Sequence, residues 1–295
     1  MKVSVIIINY NTLELTNECI NSIFNYSCNI SFEVIVVDNH SVDGSLEFFS
    51  KDSRIIYIYL DDNLGFGRAN NIGYSKSKGE YVFFLNSDTI LKNDALSIFL
   101  NKFQMLPENI GCLGCILRDT NGLNSHSYGR FPTVWGVFQQ FIMNDTFKIK
   151  CDKSHYLDYK GVPEDYFEVD YVTGADLFVK RNTIEDFGLF DENFFMYYEE
   201  TDLQRRYSQH GLKSIIINGP IIIHLEGGSS KKKTPNLKRI SLFYISGFIY
   251  LKKWSSPLSY YMLKIVFYLT RFIQLLLNPK FTLKDKLELI KNLHR

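Results

Sequence analysis

From the amino terminus, apolar positions fall into short, nearly unbroken runs at 3–9 (VSVIIIN), 33–38 (EVIVVD), 55–59 (IIYIY) and 81–85 (YVFFL). Each run has strand length and predicts a strand buried on both faces. Between them, 12–26, 44–51 and 67–77 read as helices, and the first opens after Asn11 and Thr12, residue types that cap helix N-termini. This alternation predicts an α/β fold with a mostly parallel central sheet flanked by helices. Ligands of such sheets bind beyond the carboxyl ends of the strands. Polar clusters stand at those ends: Asn9-Tyr10-Asn11, Asp38-Asn39, Asp61-Asp62-Asn63 and Asn86-Ser87-Asp88.

Over 118–170 the pattern turns aromatic and irregular, which suits an acceptor-binding insertion better than a second core. Order returns with a short strand at 169–173, the run 176–180, a helix from Glu200, and strands at 215–217 and 221–224 around Gly219-Pro220. From Lys238 two apolar, aromatic stretches follow, 240–254 and 258–277. The second has the length to span a bilayer, but Lys264 and Arg271 interrupt it. A cation near the centre of a spanning helix costs about 2.5–3.5 kcal/mol. The expectation is therefore a tail lying in a membrane interface, with Trp254 and the tyrosines at the boundary and Lys/Arg toward head groups. The alternative is a helical pair packed on the main domain. The expected organisation is a main domain over 1–237, with halves 1–117 and 118–237, and a basic aromatic helical tail over 238–295.

Composition sharpens this picture. At 45% hydrophobic and 15% aromatic, the 295 residues can build a large core, and the composition argues against a disordered chain. The formal net charge of +1 hides an asymmetry. Residues 231–295 hold 14 Lys/Arg against Asp285 and Glu288, which leaves −11 on the remainder. An acidic body with a basic tail suggests a cation site in one part and an anionic surface beside the other. Cys19, Cys28, Cys112, Cys115 and Cys151 include one CxxC with no second pair at zinc spacing, so reduced thiols in the cytoplasm are expected. The 3–8 run is too short for a signal-peptide core.

Asp38 is placed to hold a nucleobase or ribose by charge-assisted hydrogen bonds. Asn9, Tyr10 and Asn11 can line the same crevice, although an asparagine alone is usually a turn or cap residue. The stretch Asn63-Leu64-Gly65-Phe66-Gly67-Arg68-Ala69-Asn70 is not a dinucleotide fingerprint. Asn70 occupies the third glycine's place, and the glycines follow the third strand rather than the first. Such a turn still brings backbone close to a nucleotide. Asn86-Ser87-Asp88 follows a buried strand, which suits Asp88 as a ligand of a hard cation with Asn86 orienting; a helix cap is the equal alternative. Glu199, Glu200 and Asp202 lie beside an aromatic segment. Apolar surroundings and like charges raise a carboxyl toward a useful general base, while acids also favour a helix N-terminus. His224 ends an apolar strand before the polar 226–230 loop and can reach metal or phosphate. Lys231-Lys232-Lys233 can meet a diphosphate or an anionic lipid, although such runs are usually just solvated.

In order along residues 3–230, these pieces resemble the family-2 inverting glycosyltransferases, in particular the bacterial rhamnosyltransferase-like branch. The resemblance is carried by Val5-Ile6-Ile7-Ile8-Asn9-Tyr10-Asn11, by Val36-Val37-Asp38-Asn39 with Ser41 and Asp43-Gly44-Ser45, and by Asn63 to Gly73. It continues through Phe84-Leu85-Asn86-Ser87-Asp88, Thr173-Gly174-Ala175, Phe190-Asp191-Glu192, Phe194 to Leu203, and His224 with Gly228-Ser229. It implies a GT-A fold with a C-terminal helical appendage and single-displacement transfer with inversion. It assigns donor-base contact to Asp38 and Mg²⁺ or Mn²⁺ to Asp88, with His224 at a position that can complete the metal shell; the donor side is expected to include Asn9, Tyr10, Asn11, Asn63, Gly65, Asn70, Asn86 and Ser87 as well. The base maps to Glu200, where the family more often has Asp, so Glu199 stays an alternative. Gly174 and Ala175 wall the acceptor side, and Asp176 contacts it. Asn86 replaces the first Asp of the commoner DxD form. The implied partners are a dTDP- or UDP-linked sugar (rhamnose or another hexose), a polysaccharide or lipid-linked glycan acceptor, and the inner face of the cell membrane. No nucleic acid is expected, and a homodimer is left open. Two rivals stand beside this: a sugar nucleotidyltransferase, which wants a Gly-rich cationic loop after the first strand, and a non-catalytic scaffold with the same fold.

Overall fold

The computed structural model describes residues 1–27, 29–144, 165–225 and 237–277. The first half follows the expected alternation: β1 (Val3–Asn9), α1 (Leu13–Tyr26), β2 (Phe32–Asp38), α2 (Ser45–Phe49), β3 (Ile56–Tyr59), α3 (Phe66–Lys76) and β4 (Tyr81–Asn86). Then come β5 (Thr89–Leu91), α4 (Ala95–Met105) and β6 (Ile110–Cys115), followed by β7 (Tyr128–Gly129) and α5 (Val134–Phe138), which runs into a π-helical turn, Gln139–Asn144. The second half holds β8 (Tyr166–Val169), β9 (Tyr171–Val172), β10 (Asp176–Lys180), α6 (Arg181–Phe187), α7 (Glu199–Gln209), β11 (Lys213–Ile217) and β12 (Ile222–His224). The tail forms α8 (Leu237–Trp254) and α9 (Pro257–Leu277).

Among the described residues, eight strands form one sheet in the order β3-β2-β1-β4-β10-β6-β11-β8. Six run in one direction; β10 and β8 are antiparallel to their neighbours. The in-register pairing of β1 sets Asn9 opposite Asp38 and Ile8 opposite Asn86, so three polar strand ends meet at one edge. Period-2 alternation divides the apolar residues between two cores. Val3, Val5, Ile7 and Val36 pack under α1 and α4, while Ile6, Ile35 and Val37 pack under α3 and α7. The same alternation sends Cys112 and Cys115 to opposite faces of β6; both, like Cys19 in α1, are buried free thiols. A CxxC on a strand therefore cannot converge on one ligand.

The start of α1 differs from expectation. Thr12 makes no side-chain cap; Asp43 Oδ2 accepts from Leu13 N at 2.9 Å instead. The Thr12 hydroxyl donates to Asn9 Oδ1 at 3.0 Å, because the crevice below competes for it. The expected strand over 169–173 is broken at Asp170, whose Oδ2 accepts from Phe131 N at 2.7 Å.

A third core joins the tail to the main domain. Phe141 and Phe194 pack with Tyr244, Phe248, Leu251 and Phe267. One face of the α8–α9 pair is thus packed rather than free. On the other side of α9, Leu258, Tyr261, Met262, Ile265 and Leu269 are exposed. No described helix is long and apolar enough to cross a membrane. Cys28, Cys151, most of the 118–170 insertion's second half, the 226–233 loop with Gly228, Ser229 and Lys231 to Lys233, and the tail beyond 277 lie outside the described residues.

Candidate active site

The crevice beyond β1, β2 and β3 has a tightly bonded floor. Asp38 is fully buried. Its Oδ2 accepts from Asn9 Nδ2 at 2.9 Å and from the Tyr57 hydroxyl at 2.7 Å, and its Oδ1 from Ser41 N at 2.7 Å. Asn9 Oδ1 in turn accepts from the Thr12 and Thr16 hydroxyls. Asn9 and Asp38 therefore shape the crevice from beneath. The side chains open at its mouth are Tyr10, Asn11, His40 and Tyr59. Asn11 and His40 hold left-handed backbone at φ 53° and 71°, and the Tyr59 hydroxyl meets His40 Nδ1 at 3.2 Å. Neither His40 nor Tyr59 was apparent as a site residue from the sequence, although both stand at strand ends rich in polar residues.

Asn39 pins the next loop: its Nδ2 donates to Asn63 Oδ1 at 2.9 Å, and its Oδ1 accepts from Leu64 N at 2.8 Å. Gly65, at φ 85°, lies against the segment that carries the acidic pair; a Cβ there would sit 2.2 Å from Phe195 O. Only glycine fits that approach and that dihedral. Asn70 does not face the crevice: it is buried in α3, and its Nδ2 donates to Phe66 O at 3.0 Å. Helical periodicity turned it toward the core.

The short β5–β12 pairing sets His224 opposite Thr89, and so beside Asp88. His224 Nε2 lies 3.2 Å from Asp88 Oδ1 and 3.4 Å from Asn86 Nδ2. Leu225 N donates to Asp88 O at 2.8 Å, and Ser87 Oγ lies 3.3 Å from Thr12 Oγ1. One carboxylate and one imidazole fit part of the shell of a divalent cation, with diphosphate oxygens and water left to complete it. No described cluster of three or more His, Cys, Asp or Glu could hold a metal unaided. The donor set thus fits an ion shared with a substrate.

Asp176, expected to contact the acceptor, lies beneath this pair and is not among the residues that line the cavity at Glu199 and Glu200. It is fully buried, and its Oδ2 accepts from Cys115 N at 2.7 Å. Burial pushes its carboxyl up to about 8, opposed by the hydrogen bonds from Cys115 and the charge of His224. It heads β10, whose first four residues are all buried because both faces of the sheet are covered.

Glu199 and Glu200 open α7, directly after Tyr197 and Tyr198, both left-handed at φ 72° and 68°. Consecutive bulky residues in that region are strained, and such strain concentrates at functional sites. Both acids line a cavity of about 460 Å³, together with Asn86, His224, Gly174 and Ala175. That volume suits a ligand pocket. Glu199 is 4% exposed, and its Oε2 has no hydrogen-bond partner among the described residues. Burial, then the charge of Glu200, holds its carboxyl well above the ordinary range. Burial also raises Glu200, against backbone amides that include that of Gly174. The cavity's outer walls come from the insertion and the tail, through His126, Arg130, Tyr171 and Arg239. Sequence reasoning missed these, since nothing local signals that a tail arginine turns inward.

A largely parallel sheet with these strand-end clusters, an Asp–His pair and a buried acid pair defines a protein of the GT-A glycosyltransferase class. The chain belongs to glycosyl transferase family 2, whose sequence profile it matches over residues 4–160. It is 26% identical over 273 residues to the uncharacterized glycosyltransferase YfnE of Bacillus subtilis, covering 81% of this chain and 68% of that protein. It is 29% identical over 158 residues to the rhamnosyltransferase WbbL of Escherichia coli, covering 50% of this chain and 56% of that protein. GalNAc-T7, solved with UDP, GalNAc and Mn²⁺, shares the fold at TM-score 0.58 and 13% identity, covering 82% of this chain and 48% of that one. Staphylococcus aureus TarS shares it at TM-score 0.56 and 15% identity, covering 100% of this chain and 43% of that one. The chain thus spans less than half of either solved structure.

Proposed function

We propose that this glycosyltransferase moves rhamnose or another hexose, with inversion, from a dTDP- or UDP-linked donor to a hydroxyl of a cell-surface polysaccharide or lipid-linked glycan. The observation that carries the reading is that the Glu199–Glu200 pair shares one cavity with Asn86 and His224, the latter 3.2 Å from Asp88. The nucleotide lies over the Asn9–Asp38 floor, against Tyr10, Asn11 and the Asn63–Gly65 loop. Asp88 and His224 would hold Mg²⁺ or Mn²⁺, which when bound neutralises charge on the departing diphosphate. Glu200 takes the proton of the acceptor hydroxyl as its oxygen bonds to the anomeric carbon and the bond to the diphosphate breaks. Two carboxylates side by side do not both ionise readily. The more buried Glu199 keeps the proton, which leaves Glu200 as the base. Gly174 and Ala175 wall the acceptor.

Two features stand against the rivals. Asn9-Tyr10-Asn11-Thr12 after β1 supplies no cationic phosphate loop for a nucleotidyltransferase. A buried carboxyl oxygen without a partner among the described residues is costly to keep in a mere scaffold. The reading also places the enzyme at the cytoplasmic membrane face, through the apolar outer side of α9 and the basic tail.

The test combines binding and turnover. Thermal unfolding with UDP or dTDP should shift upward for one nucleotide, and only with Mn²⁺ or Mg²⁺ present. Glu200→Gln should keep that shift and lose transfer. Transfer that survives in Glu200→Gln refutes the assignment of the base.

A further inference from the structure

The crevice and the cavity account for the strand ends, but not for the outer edge of the sheet. β3 stands at that edge and pairs only with β2 among the described strands. Leu60 N donates to Asp38 O at 2.9 Å, and alternation along this parallel ladder turns the N–H and C=O groups of Tyr57 and Tyr59 away from β2. Those groups meet no other described residue. The run 55–60, Ile-Ile-Tyr-Ile-Tyr-Leu, carries no charge, proline or glycine. Such an edge is a template for another strand, and folded chains usually blunt it with charge, proline or a covering element. The opposite edge, β8, is blunted by Glu168, which pairs with Lys213.

Apolar side chains collect beside the open edge. Ile56 is 39% exposed, and Leu46 and Phe48 of α2 are 38% and 45% exposed. α2 lies over β3 on one face of the sheet, where Phe49 meets Tyr57 with ring centroids 6.1 Å apart. Charge is ordered along the edge as well. Exposed Lys51 and Arg54 precede the run, and exposed Asp61 and Asp62 follow it. Asp52 answers Arg54, while Lys51, Asp61 and Asp62 form no ion pair with a described residue.

We propose that two copies of this chain pair through β3, antiparallel, about a two-fold axis at Ile58. Tyr57 of each copy then stands opposite Tyr59 of the other, and each such pair exchanges both its N–H···O bonds. Among the registers that the outward amides allow, this one sets Arg54 opposite Asp62 of the second copy. The cationic end of each strand thus meets the acidic end of the other. That order of charge is complementary to its own reverse, which selects a second copy over an unrelated strand. A parallel copy would bring like charges together. On one face Ile56 meets Leu60 of the second copy. On the other the α2 helices lie side by side and cover Leu46 and Phe48, as the apolar centre of an interface does. The two-fold closes the assembly and leaves neither sheet with that edge open. Tyr59 also stands at the crevice mouth, with its hydroxyl 3.2 Å from His40 Nδ1, so the second copy borders each crevice.

The experiment needs no donor or acceptor, so its outcome is independent of the transferase reading. Sedimentation velocity of the full chain at rising concentration should show a monomer passing into a dimer. Asp61→Lys with Asp62→Lys sets cation against cation at both ends of the junction and should weaken the dimer roughly ten-fold or more. Both side chains are exposed, so this variant should melt with the wild type. Ile265→Asp with Leu269→Asp, on the exposed side of α9, should dimerise as the wild type does. In the wild type, hydrogen exchange over 55–60 should slow roughly ten-fold or more on association. A chain that stays monomeric at about 100 µM overturns the inference, whatever else covers the edge. A dimer that forms as readily with the two lysines, or whose 55–60 amides exchange at the monomer's rate, joins elsewhere and overturns it too.

Discussion

Removing the Asp202 carboxylate should loosen the seam between the helix that bears Glu199 and Glu200 and the tail. Asp202 is fully buried, with Oδ1 accepting from Trp254 Nε1 at 2.7 Å and Oδ2 lying 3.1 Å from Arg206 Nε and 2.9 Å from Lys253 Nζ. A hydrogen bond to a charged group contributes about 1.5–3 kcal/mol. The cations are 22% and 33% exposed, so each ion pair adds about 0–1 kcal/mol after solvent screening. Neither cation is stranded: Arg206 still donates to Phe187 O and Leu189 O, and Lys253 keeps Asp191 at 2.8 Å. Asp202→Ala should therefore destabilise by about 2–4 kcal/mol, and Asp202→Asn, which can still accept from the indole, by about 1–2 kcal/mol. Urea unfolding followed by tryptophan fluorescence and far-ultraviolet circular dichroism measures both. Trp254→Phe in the Asp202→Ala background should cost much less than in the wild type, since the bond it removes is already gone. An Asp202→Ala variant within about 0.5 kcal/mol of the wild type, or fully additive losses in the cycle, refutes the seam.

The buried acid pair gives a pH dependence of defined sign. The Glu199 carboxyl is raised above its ordinary 4.5, so on titration the unfolded chain loses its proton first. The stability is present below that value and lost as pH rises through the folded one. Glu199→Gln should therefore gain on the wild type as pH rises from 5 to 8, and a gap that stays constant in denaturation at several pH values counts against this. Gly65→Ala places a Cβ 2.2 Å from Phe195 O at φ 85° and should cost more than about 2 kcal/mol, whereas Gly122→Ala, at φ 79° in open space, should cost about 1 kcal/mol. Equal melting midpoints for the two variants would remove the steric argument. Ile265 and Leu269, 58% and 57% exposed, should carry membrane contact. Ile265→Asp with Leu269→Asp should abolish co-sedimentation with phosphatidylglycerol vesicles, and a wild type that ignores such vesicles defeats the membrane placement.

The strands β1 to β4 and their helices were legible because side-chain periods of 2 and 3.6 are local properties of a chain, and Asn9, Asp38 and Asn86 could be placed at strand ends on that basis alone. The ordered motifs from Val5 to His224 also sufficed to indicate family 2 before any fold was in view. Tertiary structure decided the rest. No local period shows that β10 enters the sheet antiparallel between β4 and β6, or that β5 and β12 carry His224 to Asp88 across 136 positions of sequence. Burial of Asp38, Asn70 and Asp176 depends on which face of an element meets the core, and the turn of Arg239 toward the cavity depends on where a distant helix docks. Such choices are made by packing among segments far apart in the chain, and neighbouring residues carry no record of them.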